Sequence, residues 1–447
     1  MRPLGKAGPG IKAQTAPAPG KAMGISTAGD LGYRVLAAVM CSRVARSQRS
    51  SEADGSPLVA LIPLAFLYVL FLLLAGPTAN GRATEFWLAL NYGVFVVSGV
   101  ATVVLHEAGH ALAAVLLRFH VFAVVIGYGR SIREWDLRGR MLQLNAVPFS
   151  GFVIAATRQG RLLRPRLWAL FAAGPAVNAA LILLLWHALP DRGAPDLLTA
   201  PAPVPALLFW NGLALLLSLF PATRQTHVGV GASDGLMLVR ISLMSREKLS
   251  VFLNAYEPCL AWVAMWRQDF ATARRLCEEG LLRNPMDVTF RACLGTLNLL
   301  AGRFSEAREQ LRALLDDPAA QTVKASICNN LAWADVCLGT PELLHEADRC
   351  SAEAMRAAPH EPAFKGTRGA VFIRLGHLDS GVSYCREAFR ANRRPSARAI
   401  NACWIAIGEA LKKNHPEALR WLESAEALDS ACVLLPMAKS NVEARRT

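Results

Sequence analysis

Residues 106–110 read His106-Glu107-Ala108-Gly109-His110. On a helix, positions i and i+4 lie one above the other on one face. Two imidazoles at that spacing can hold one zinc ion, and Glu107, one residue on, can reach a water molecule at that ion. This set serves metal-assisted hydrolysis: the ion acidifies water and polarises a scissile carbonyl, and the glutamate moves the proton. The motif lies in an apolar run, where two histidines and a glutamate are costly and mark a functional site. Two histidines need a third ligand, with one position left open for water. One acidic residue follows the fourth apolar run, in Ser233-Asp234-Gly235.

The elements that must carry these residues are apolar. Hydrophobic residues make up 53% of the 447 and charged residues only 18%. Most of the apolar excess lies between residues 57 and 221. Four runs stand out there: Leu58–Ala75, Phe86–Phe119, Leu167–Leu189 and Val204–Phe220. A bilayer crossing takes about 20 residues, and runs apolar on all faces do not suit the amphipathic helices of a soluble protein. His106 lies about 20 residues into the second run, about 30 Å at helical rise.

Flanking arginines set the orientation. Arg34, Arg43, Arg46 and Arg49 precede the first run. Arg130, Arg133, Arg138, Arg140, Arg158, Arg161, Arg164 and Arg166 lie between the second and third. The loops at 76–85 and 190–203 carry one arginine each. The positive-inside rule then puts both termini and the 120–166 segment in the cytosol of a multi-pass protein of the cell membrane. The net charge of +14 follows from this topology; the sequence carries no nucleic-acid module. Within 120–156, Val121–Ile126, Met141–Ala146 and Phe152–Ala156 read as short strands punctuated by Gly127, Gly129, Pro148 and Gly151. Residues 1–56 lack any apolar period and read as a disordered basic tail.

From about Tyr256 the pattern is helical and repeated. Phe270, Ala273 and Asn284-Pro285 are matched 33–34 residues later by Phe304, Ala307 and Asp317-Pro318. Leu338-Gly339 recurs as Leu375-Gly376, Ala358-Pro359 closes a third unit, and Ala418-Leu419 fits a last one. The period and the small residues at helix crossings resemble tetratricopeptide repeats. Ten cysteines include no C-x-x-C pair, which reads as reduced thiols buried in cytosolic helices.

Several motifs in order resemble the site-2 protease family of intramembrane zinc metalloproteases. Besides His106-Glu107-Ala108-Gly109-His110 these are Val125-Ile126-Gly127-Tyr128-Gly129, Val147-Pro148-Phe149-Ser150-Gly151-Phe152-Val153, Gly174-Pro175-Ala176-Val177-Asn178 and Asp234-Gly235. The resemblance covers about residues 86–245. It implies that His106, His110 and Asp234 bind Zn2+ and that Glu107 is the general base. It also implies that Asn178 contacts substrate or supports a ligand, and that the enzyme cleaves transmembrane segments in regulated intramembrane proteolysis. Two departures matter. Ser218 stands where the family has an asparagine before Pro221, which leaves that asparagine's substrate-contact role unfilled or shared with Asn211. Twelve residues separate Pro221 from Asp234, and His227 within them is an alternative ligand.

The expected fold is a polytopic α-helical membrane protein of about four transmembrane helices, with a small β-sheet at the cytosolic face and a C-terminal helical-repeat solenoid. The expected divisions are a tail at 1–56, a transmembrane zinc protease domain at 57–248, a cytosolic repeat domain at 249–435 and a short tail at 436–447. The expected partners are a transmembrane protein substrate, the lipid bilayer and a cytosolic protein bound by the repeats. The alternative is a membrane-anchored repeat scaffold without proteolytic activity.

Overall fold

The computed structural model describes residues 67–71, 85–187, 201–226, 229–317, 320, 323–359, 361–392 and 394–445. The expected tail at 1–56, the ends of the first apolar run and His227 lie outside the described residues.

Three apolar helices, Glu85–Leu116 (α1), Leu163–His187 (α2) and Pro203–Leu219 (α3), pack pairwise into a bundle. Their polarity is inverted relative to a soluble bundle. Asn91, Ser98, Thr102, Glu107, His110, Asn178 and Asn211 are buried inside, while Val97, Leu112, Leu183, Leu184 and Leu216 are exposed outside. Polar groups turned inward and apolar ones outward are what a hydrocarbon surround requires.

Two described helices, Phe86–Leu116 and Leu163–His187, are long and apolar enough to cross a membrane, against the four spans expected. α3 has 17 residues, about 26 Å at helical rise against a hydrocarbon core of roughly 30 Å. It stops at Phe220, whose extended backbone is the conformation that a following proline, Pro221, imposes. The first expected span is described only at 67–71, which is helical. There Leu67 and Phe71 join Phe95 of α1 and Ala206 of α3 in one apolar cluster.

Between α1 and α2 the chain forms two long antiparallel strands, His120–Leu137 (β1) and Arg140–Ala156 (β2). They are longer than the three short strands expected. The connection is Arg138-Gly139, both at positive φ (56° and 86°), the requirement of a tight I′ hairpin turn. Each strand folds back, so that Ala123 pairs with both Met141 and Ile154, and Val125 with both Gln143 and Phe152. Residues 151–156 therefore form an edge of the sheet, beside α1.

After α3, a small hairpin, Thr223–Thr226 (β3) with Gly229–Ala232 (β4), leads into Asp234–Leu243 (α4). A short helix, Arg246–Asn254 (α5), then opens a stack of antiparallel helix pairs. The pairs are Tyr256–Trp266 (α6) with Phe270–Arg283 (α7), Val288–Leu300 (α8) with Phe304–Arg312 (α9), and Lys324–Leu338 (α10) with Pro341–Ala357 (α11). Pro362–Arg374 (α12) with Leu378–Ala391 (α13) and Pro395–Leu411 (α14) with His415–Leu428 (α15) complete them, and Leu435–Glu443 (α16) closes the stack. The repeated alanines Ala273, Ala307 and Ala418 are fully buried, as close crossing of paired helices demands. Gly339 and Gly376 adopt positive φ where α10 and α12 end. The described cysteines are free, and all but Cys337 are buried.

The stack is seated on the sheet. Cys259, Trp262 and Val263 of α6 share a core with Phe122, Ala123, Val125, Met141 and Ile154. Polar contacts flank this core: Arg267 Nε donates to Asp136 at 2.6 Å, Trp266 Nε1 to Glu134 at 3.2 Å, and Arg158 pairs with Glu257 at 3.0 Å.

Two outcomes follow. Trp262 is 2% exposed, so Trp262→Ala should cost about 3–5 kcal/mol and open the 244–256 junction to protease in detergent-solubilised protein. Asp335, fully buried in α10, accepts from Arg308 at 2.7 Å through one oxygen, while the other has no partner. Burial pushes its pKa up to about 6, although Arg308 pulls the other way. The folded state then holds this proton more tightly than the unfolded state, so Asp335 reduces stability as pH rises from about 4 through about 6. Thermal unfolding across that interval should fall less steeply for Asp335→Asn than for the natural chain.

Candidate metal centre

His106 and His110 sit one turn apart on α1, and both rings point at α2. His110 Nδ1 donates to the Leu170 carbonyl at 2.8 Å. A carbonyl can only accept, so in the neutral ring Nε2 carries the lone pair. His106 Nδ1 lies 2.5 Å from Asn178 Oδ1. These contacts hold both rings by Nδ1 and aim both Nε2 atoms at one point, where they stand 3.2 Å apart.

Asp234 arrives there from 128 residues away. Its Oδ2 lies 3.3 Å from His106 Nε2 and its Oδ1 3.5 Å from His110 Nε2. One ligand atom from each of the three residues lies within 4.8 Å of the others. Asp234 is the first residue of α4, and Ser233 caps that helix by accepting from Leu236 N at 3.2 Å. Ser233 also ties the two ends of the preceding loop together. Its Oγ donates to the Phe220 carbonyl at 2.7 Å and accepts from Ala222 N at 3.1 Å. Among the described residues after Pro221, β3 and β4 pair as a hairpin that Ser233 closes at its base, which brings Asp234 back beside the end of α3.

Backbone sites leave room for this cluster. A Cβ on Gly174 would stand 2.6 Å from His106 Nε2 and also collide with His110 Nε2. A Cβ on Gly151 would stand 2.7 Å from both the carboxyl carbon and Oε1 of Glu107. Glu107 is 5% exposed, so its carboxyl group is pressed between α1 and the edge strand, next to the cluster.

The donor set fits a divalent cation. Two imidazole nitrogens and a carboxylate face one another at hydrogen-bond distance. With both rings protonated on Nδ1, no hydrogen lies between them, an arrangement that is repulsive unless a cation occupies the centre. Nitrogen and oxygen donors in this number suit zinc with an open position for water.

The other expected residues divide. Asn178 is brought to His106, and its Nδ2 donates to Asn211 Oδ1 at 2.8 Å. Ser218 donates within its own helix, to the Leu215 carbonyl at 3.2 Å. Residues that sequence reasoning missed are Thr102, which accepts from Asn211 Nδ2 at 3.1 Å, Ser233, and the Leu170 carbonyl. Thr102 had a signal: Ser98, Thr102, His106 and His110 recur every fourth residue of an apolar helix, which places them on one face.

The profile of Peptidase family M50 matches residues 94–404, most of the chain. No curated protein matches the sequence. Among solved structures, the chain is similar to a thermophilic TPR protein of Thermus thermophilus. That match has 20% identity and TM-score 0.33, over 42% of this chain and 99% of the other. It is similar to a MamA mutant at 19% identity and TM-score 0.28, over 39% and 97%. It is also similar to YrrB, a TPR protein with an unusual peptide-binding site, at 17% identity and TM-score 0.27, over 41% and 90%. The chain belongs to Peptidase family M50, the site-2 protease family of membrane-embedded, zinc-dependent peptidases, and it carries a C-terminal run of tetratricopeptide-like helix pairs.

Proposed function

We propose that this chain is an intramembrane zinc endopeptidase that cleaves transmembrane segments of membrane proteins in regulated proteolysis. His106, His110 and Asp234 hold the ion, and Glu107 is the general base. The observation that carries the reading is the convergence of His106, His110 and Asp234 beside a buried glutamate, inside a bundle whose outer face is apolar.

Zinc, when bound, supplies Lewis acidity at the scissile carbonyl and makes water a better nucleophile at neutral pH. Glu107 takes the proton of the attacking water and returns it to the leaving nitrogen. Its burial against Gly151 keeps the carboxyl group oriented and away from bulk water. A peptide carbonyl must leave its helix before it can be attacked. The 151–156 edge, beside α1, is where an unwound substrate segment would lie extended.

On this reading, residues 57–248 form the protease domain, with multiple spans and cytosolic termini. Residues 249–435 form a cytosolic repeat domain that binds a protein partner or the substrate's tail. The seat of α6 on the sheet supports a role for the repeats close to the site.

Zinc content of detergent-purified protein and cleavage of single-span reporter proteins test this reading. The natural chain should hold one zinc, and His106→Ala and Asp234→Ala should each lose it. Glu107→Gln should keep zinc and lose about 10²–10⁴-fold in cleavage rate; unchanged cleavage would leave the scaffold alternative standing. Gly174→Ala should lower zinc content, because the added methyl displaces both imidazoles. Gly151→Ala should retain zinc and lose about 10²-fold in cleavage, the cost of an ångström-scale displacement of a reacting group.

A further inference from the structure

The polar groups buried between α1, α2 and α3 form one directed chain. Asn211 Nδ2 donates to the Leu207 carbonyl at 2.8 Å and to Thr102 Oγ1 at 3.1 Å. The Leu207 oxygen has no proton to give, so this end of the amide must be the nitrogen. Asn211 Oδ1 therefore faces Asn178, whose Nδ2 donates to it at 2.8 Å. That in turn leaves Asn178 Oδ1 as the atom 2.5 Å from His106 Nδ1. An amide oxygen only accepts, so the proton of the neutral imidazole sits on Nδ1, and Nε2 presents its lone pair to His110 and Asp234. Asn178 and Asn211 are fully buried and Thr102 is 1% exposed, which keeps bulk solvent from breaking the chain. Reversing any amide would set oxygen against oxygen at one end and hydrogen against hydrogen at the other.

We propose that Asn211 is a positioning residue for the metal centre. Through Asn178 it fixes His106 in the Nδ1–H tautomer, taking its direction from the Leu207 carbonyl, with Thr102 as its second acceptor. The inference rests on reading His106 as a ligand, and it assigns Asn211 and Asn178 to holding that ligand rather than to touching substrate. In the other tautomer, Nε2 would carry a hydrogen where the ion must sit. The relay also spans all three helices of the bundle, so the helix leading to Asp234 and the helix carrying the histidines are registered through it.

The test uses the full chain in detergent with two readouts. One is zinc affinity by competition with a chromogenic chelator. The other is nitrogen NMR of histidine-labelled, metal-free protein, which separates the two tautomers of His106. Asn211→Leu, close in shape but without polar atoms, should weaken zinc by about 10–100-fold and convert the His106 signals to a tautomer mixture. Thr102→Val should weaken zinc less, and Thr102→Ser should match the natural chain. Natural affinity together with a pure Nδ1–H signal in Asn211→Leu overturns the proposal. Should that variant not be recovered folded, the threonine pair decides, and equal behaviour of Thr102→Val and Thr102→Ser overturns it. A natural chain that binds no zinc refutes the ligand reading, while the metal-free tautomer measurement still decides the relay.

Discussion

Three lone-pair donors held face to face set the terms for the rest of the bundle. His106 Nε2, His110 Nε2 and the Asp234 carboxylate repel one another unless a metal ion or a proton stands between them, and they stand within a bundle whose outer face is apolar. Such an arrangement persists only if the surrounding structure over-determines it. Each ring is therefore held from behind, one by the Leu170 carbonyl and one by Asn178. α2 passes close enough to supply both contacts because Gly174 has no side chain to strike the rings. The third donor is delivered by a helix N-terminus, α4, whose approach is fixed by Ser233 and not by the loop before it. The inverted polarity of the bundle is the same constraint seen from outside: polar atoms are used up internally because lipid offers them no partner.

The sheet joins this centre to the repeats. Alternate residues of a strand face opposite sides, and β2 uses both. Gly151 abuts the Glu107 carboxyl group, while Phe152 and Ile154 pack with the core that receives Trp262 of α6. Asp136 and Glu134, near the far turn of the same hairpin, hold Arg267 and Trp266. The repeat stack thus grips the strand that borders Glu107, and Phe152 of its seat directly follows Gly151, which contacts Glu107. A stack that merely trailed from the membrane domain would need no such apolar seat.

Much of the chemistry was legible in the sequence because it is local. His106 and His110 at i and i+4 require only that the run be helical, and the repeat period shows in paired alanines and in Gly339 and Gly376, whose positive φ ends a helix. The length of the sheet was not legible, because its turn is Arg138-Gly139 and lacks the usual Asn-Gly signature. The fourth apolar run was legible to within a residue, Val204–Phe220 in the sequence against Pro203–Leu219 in the helix, because Pro221 ends both. Non-local partners were the least legible. The long loop before Asp234 reads as a departure until Ser233 is seen to close it, and the hydrogen bond of Ser218 within its own helix has no signal in the sequence. Asn211 and Thr102 could be placed near the site from the sequence, but their contact with each other and with Asn178 comes only from three helices meeting.

Why the support behind His106 is built of amides, when metal-bound histidines elsewhere commonly lean on carboxylates, follows from charge. A bound divalent cation would be balanced by two carboxylates, Asp234 and Glu107, leaving the buried set neutral. A third carboxylate at residue 178 would leave one uncompensated negative charge in a low-dielectric bundle, at a desolvation cost of several kcal/mol. An asparagine offers the same acceptor geometry without that charge. It brings a liability that a carboxylate lacks, because an amide can face either way. Only a partner of fixed polarity removes that ambiguity. Here that partner is a backbone carbonyl, Leu207, reached through a second amide. The length of the relay is therefore a consequence of supporting the His106 ring with neutral groups inside an apolar bundle.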